Sequence, residues 1–77
     1  MSINWSWKEI ENNGFNIYSK KHYETKMLGD WQMREYAKSN NIRLEDVHGF
    51  RLSENDWVIV HKINPIKGYV EQPILNF

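Results

Sequence analysis

Trp57-Val58-Ile59-Val60-His61-Lys62-Ile63 is the stretch whose reading decides the fold. Its run of β-branched and aromatic residues suits a pleated, half-buried surface, and the turn formers Ser53-Glu54-Asn55-Asp56 stand before it, so it reads as a strand. Just upstream, Val47-His48-Gly49-Phe50-Arg51-Leu52 has a two-residue alternation of its own, and the pair reads as a hairpin. A turn at Glu54-Asn55 sets Leu52 opposite Trp57, Phe50 opposite Ile59 and His48 opposite His61, all on one face. A slip of one residue would move Phe50 and Leu52 to the face opposite Trp57 and Ile59, and Trp57 itself is expected in the core.

Working outward toward the N-terminus, Ser6-Trp7-Lys8-Glu9 has the spacing of a capping box, and Gly14 supplies a left-handed stop, which predicts a short helix over about 6–13. Trp7 and Ile10, with Ile3 as a further candidate, give it too narrow an apolar stripe to stand alone, so it must dock on the sheet. Phe15-Asn16-Ile17-Tyr18-Ser19 alternates as a strand, with Phe15 and Ile17 on one face. Lys20 to Thr25 suits either a continued strand or the start of a helix. The main helix runs from Thr25 or Asp30, with Asp30 as N-cap, to a stop at Asn40-Asn41. Its apolar residues do not form one stripe, which predicts that either Trp31 or Tyr36 is partly exposed. Between helix and hairpin, Ile42 and Leu44 tuck under the core while Glu45 and Asp46 are solvated. After Ile63, Asn64-Pro65 breaks the strand, and Tyr69-Val70-Glu71 could add a short edge strand.

These elements make a single α+β domain over residues 1–77. It has a three- to four-stranded, mostly antiparallel sheet, the main helix across one face and the short N-terminal helix beside it.

The chain has 77 residues and no cysteine, so disulfides, thiolate metal sites and cysteine nucleophiles are excluded. Ten basic and ten acidic groups balance, six against five in residues 1–38 and four against five in 39–77, which argues against a general electrostatic grip on nucleic acid or membrane. The N-terminus lacks the charged and apolar regions of an export signal and no apolar run is long enough to span a bilayer, so a cytoplasmic protein is expected. The abundance of Asn, Ile, Lys, Tyr and Phe fits A/T-rich coding, as in many low-GC bacteria and their phages.

A helix-turn-helix would use Ala37, Asn41, Ile42, Val47 and Phe50 as packing positions. It would also put Glu45 and Asp46 where a recognition helix approaches phosphate, and Gly49 in its middle; the hairpin explains the same residues better. If His48 and His61 face each other they stand near enough to share a divalent metal, with His22 as a third ligand, but two histidines without a placed carboxylate specify none, and we expect them to be structural. No nucleophile elbow, phosphate loop or paired-carboxylate signature occurs, so neither enzyme activity nor a cofactor is expected.

The remaining signal is aromatic. Four Trp, four Tyr and three Phe are more large rings than a small sheet with two helices easily encloses, and tryptophan and tyrosine anchor interfaces. The expectation is a non-enzymatic module that binds another protein, in the manner of small phage or mobile-element regulators that occlude a host protein. Tyr23, Trp31 and Tyr36 are its candidate anchors, and Lys20, Lys21 and Arg34 its polar rim. Oligomeric state is left open, a homodimer included. The alternative is a nucleic-acid-binding regulator using the basic and aromatic residues of 18–26, Tyr18-Ser19-Lys20-Lys21-His22-Tyr23 with Lys26, although three lysines are few for that task.

Overall fold

The computed structural model describes residues 4–68. The Ser6 hydroxyl accepts from the Glu9 amide and the Glu9 carboxylate from the Ser6 amide, so the capping box closes as expected and starts helix α1, Trp7–Asn12. Gly14 ends it at φ +91°, a conformation that costs a residue with a Cβ far more than glycine. Strand β1, Phe15–Tyr23, follows at once, which resolves Lys20 to Tyr23 as strand.

Helix α2 is Asp30–Asn40, and its N-cap is Gly29 rather than Asp30; the Gln32 side chain accepts from the Gly29 amide. Asn41, in the left-handed region at φ 55°, stops it as the sequence suggests. A 3-10 turn over Leu44–Asp46 leads into the hairpin of β2, Val47–Ser53, and β3, Asp56–Lys62. The sheet is antiparallel throughout, in the order β1-β3-β2, so Trp57 to Lys62 lie in its central strand. The suggested strand at Tyr69-Val70-Glu71 lies outside the described residues, as does Ile3.

The hairpin turns at Glu54-Asn55 as expected, with Ser53 opposite Asp56, but the register beyond the turn is corrected by one residue. Leu52 is an unpaired extra residue in β2, after which Arg51 faces Trp57, Phe50 faces Val58, and His48 faces Val60. Phe50 therefore shares a face with Val58 and Val60, and Ile59 points the other way with Val47 and His61.

That slip decides the architecture. Ile10 of α1 packs with Phe15, Phe50, Val58 and Val60 on one face, flanked by Trp5, Trp7, Ile17 and Leu52. On the other, Tyr36 and Ala37 of α2 pack with Ile42, Val47 and Ile59. The two helices lie on opposite faces of the sheet rather than side by side. Val58, Ile59 and Val60 are all fully buried, as a central strand covered on both sides requires.

Trp57 is also corrected: it is half-buried at the end of β3 and outside both buried clusters, its indole N–H donating to the Lys26 carbonyl at 3.0 Å. Asp46, expected to be solvated, is 7% exposed, and its carboxylate accepts from the Ile66 amide at 3.0 Å. Glu45 is exposed and pairs with Arg43.

Candidate functional site

β1 is an edge strand carrying a second, larger irregularity. Asn16 pairs with His61 and Lys21 with Ile59, so four residues of β1, 17 to 20, stand against Val60 alone. The three extra residues bow the strand outward and lift Tyr18 to 85% exposure. Backbone groups that the ladder no longer serves find side chains instead: the Tyr18 amide donates to Asn16 Oδ1 at 2.9 Å, and Lys20 Nζ donates to the Ile17 carbonyl at 3.4 Å.

The Ser19 carbonyl receives the most elaborate support. Tyr36 Oη lies 2.7 Å from it and 2.8 Å from His61 Nδ1. A carbonyl can only accept, so the single hydroxyl proton goes to Ser19, and His61 must then donate its Nδ1–H to the tyrosine oxygen. A chain of donors thus runs from β3 through α2 to the bulge. Burial pushes the Tyr36 hydroxyl above its ordinary pKa and the His61 imidazole below its own, the latter with help from Lys67 and against the opposing effect of Asp46. Both groups are neutral at pH 7.

Between the bulge and α2 opens a cleft of about 420 Å³, lined by Lys20, Lys21 and Tyr23 on one side and Glu35, Tyr36 and Asn40 on the other. It gathers four of the six residues singled out in the sequence. Tyr36 enters as part of the wall, since its ring is 6% exposed and belongs to the core; as a free anchor it is corrected. Lys20 and Lys21 lie 5.5 and 5.9 Å from the rings of Trp7 and Tyr23, cation–π contacts that hold the two ammonium groups to opposite sides of the strand.

Trp31 and Arg34 stand apart from the cleft. Arg34 pairs with Asp30 one turn earlier on α2, at 2.7 Å on the exposed helix surface. Trp31 is 64% exposed, and its ring rests against the chain at Gly29, where a Cβ would come within 3.1 Å of it. Gly29 also borders a second, shallower groove of about 360 Å³, with Met27, Leu28, Met33 and Trp57 around a floor at Gly49. Met27 is 75% exposed. Sequence reasoning singled out Trp31 but missed Met27 and the groove, which exists only because the corrected register turns Gly49 and Trp57 toward α2.

The histidine pair does not form. His48 and His61 point from opposite faces of the sheet, and among the described residues no group of three or more His, Asp or Glu is gathered as metal ligands would be. His48 packs edge-on against Phe15, its ring centroid 4.8 Å away, and Nε2 is buried without a partner. Burial lowers its pKa, Lys62 lowers it further, and Asp46 and the Glu45 carbonyl oppose the shift.

Comparison with family models, with curated proteins and with solved structures gave no match.

Proposed function

We propose that this chain is a non-enzymatic protein-binding module that acts by occupying a surface of another protein, through the groove at the N-terminal end of α2 and the Trp31 ring beside it. The observation that supports this reading is the exposure of Trp31. Trp5, Trp7 and Trp57 are all at least half-buried, whereas Trp31 leaves 64% of its surface in water and Met27, on the groove that Gly29 also borders, 75%. Leaving a large ring and a thioether in solvent forgoes burial of about 25 cal/mol per Å² in a domain with little stability to spare, so a partner that covers them recovers it. Tryptophan supplies area at small entropic cost, and methionine adapts its shape to the surface it meets. Asp30 and Arg34 beside the ring provide the polar margin that such surfaces carry.

A photo-crosslinking amino acid placed at Asp30, exposed on the rim of the groove and leaving Trp31 intact, tests this in the cells that encode the protein, with the same group at Glu11, exposed on α1, as control. Docking at the groove expects a discrete protein adduct from position 30 and none from position 11. No adduct from position 30, or the same adducts from both, overturns it.

A further inference from the structure

The bulge of β1 remains unused by that reading. It places Tyr18 at 85% exposure and holds it there by three separate side-chain bonds, one of them reinforced by the buried His61. Either side of the same edge strand carries Lys20 and Lys21, and β1 holds no acidic residue along its whole length. His22 stacks on Trp7 at 5.7 Å between centroids, with His22 itself exposed, so the α1 side of the strand presents an imidazole face backed by an indole. Glu24 just beyond the strand and Glu35 across the cleft mark the limits of the basic stretch.

We infer that β1 is a platform for single-stranded nucleic acid running along the edge of the sheet, on which Tyr18 and His22 stack with unpaired bases while Lys20 and Lys21 reach its phosphates from the two sides of the strand. Every base has a π-face, so such stacking is tolerant of sequence, and fixed rings lose little freedom when a base settles on them. A partner protein strand adding to this edge is the competing occupant. The bulge and the lysines are the devices that protect an edge from strand addition, and they favour a ligand that stacks over one that pairs. Two lysines on a neutral chain make the contact weak, and its salt dependence is accordingly shallow. The slope of log K against log salt is about −1.4 if two phosphates are met.

Fluorescence anisotropy with a labelled oligothymidylate of about 15 nucleotides, at about 50 mM salt, reads this directly. The variants are Tyr18→Ala, Lys20→Glu and Lys21→Glu, with Arg51→Glu on the far edge of the sheet as charge control, each confirmed folded by its thermal melt. Binding is expected to weaken roughly fivefold or more in the first three and to stay within about twofold in Arg51→Glu and in Trp31→Ala. A duplex of the same length should compete poorly. Absence of binding to the oligonucleotide overturns the proposal. So does binding that survives Tyr18→Ala, or that poly-glutamate displaces as well as unlabelled oligonucleotide does, which would assign the surface to an acidic polypeptide.

Discussion

The Tyr36 hydroxyl, on α2, stands 2.8 Å from Nδ1 of His61 on the central strand, inside the core, and passes its own proton to the Ser19 carbonyl 2.7 Å away. Two buried positions of a small core are thereby committed to fixing one carbonyl of an edge-strand bulge. Tyr36→Phe keeps the ring and removes the link, leaving the Ser19 carbonyl and His61 Nδ1 without partners. A loss of about 1 to 3 kcal/mol is expected, together with faster amide hydrogen exchange at residues 17–20 than elsewhere in the sheet. Thermal melts and exchange by NMR check it; unchanged exchange in the bulge would show that the relay does not hold it.

Acid should weaken the fold. Burial lowers the pKa of both His48 and His61 in the folded state below the ordinary value near 6.5. The unfolded chain then binds more protons at mildly acid pH, so stability is full above about pH 6.5 and falls as the pH drops below it toward the folded values. Denaturant titrations from about pH 7.5 to 5 should show that decline, and a shallower one in His48→Phe, which removes one of the two groups. Stability that rises on acidification through this range would contradict the assignment.

A Cβ at Gly49, in the middle of β2, would come 2.5 Å from Leu28 Cδ1, so the half-buried leucine has to turn aside to admit one. Gly49→Ala should therefore cost about 1 to 3 kcal/mol despite the better strand propensity of alanine. In Leu28→Ala the same substitution should cost less, because the methyl it meets is gone, and the double-mutant cycle measures that difference. Additive effects would show that the leucine moves aside freely.

The way these residues were or were not legible has a physical cause. Local signals were read correctly from sequence: the Ser6–Glu9 capping box, the stops at Gly14 and Asn41, and the turn at Glu54-Asn55 each depend only on neighbours a few positions away. Register was not, because hydrophobic alternation fixes it only where one face is wet. Trp57-Val58-Ile59-Val60 is apolar at every position since both faces are covered, so the run identifies a central strand without saying which residues share a side. The extra residue at Leu52 and the three in 17–20 leave no mark in composition, and each reverses the faces beyond it. From Leu52 follow the separation of His48 from His61, the two-sided sheet and the groove at Gly49. The candidate anchors were drawn from the excess of rings, but whether Tyr36 or Trp31 faces water depends on which stripe of α2 meets the sheet.

The two-sided sheet sets a contrast between neighbours on β3. Ile59, fully buried against α2, should lose about 2 to 5 kcal/mol as Ile59→Ala. Trp57→Ala should stay well under the ~3 to 5 kcal/mol of a buried ring and act locally, freeing the 24–28 segment that the indole ties at the Lys26 carbonyl. Equal losses from the two variants would place Trp57 in the core after all.

The most direct measurement pairs stability with binding at Trp31. The protein cross-linked through position 30 is purified, and its affinity for wild type and for Trp31→Ala is measured beside the melting temperatures of both. Docking through this ring expects melting within about 2 °C, because an exposed helix position loses little on truncation, and binding weakened by a factor of about 30 or more, the signature of an anchor. Affinity retained within about twofold, or a variant that melts many degrees lower, would contradict the proposal that Trp31 is held in solvent for a partner.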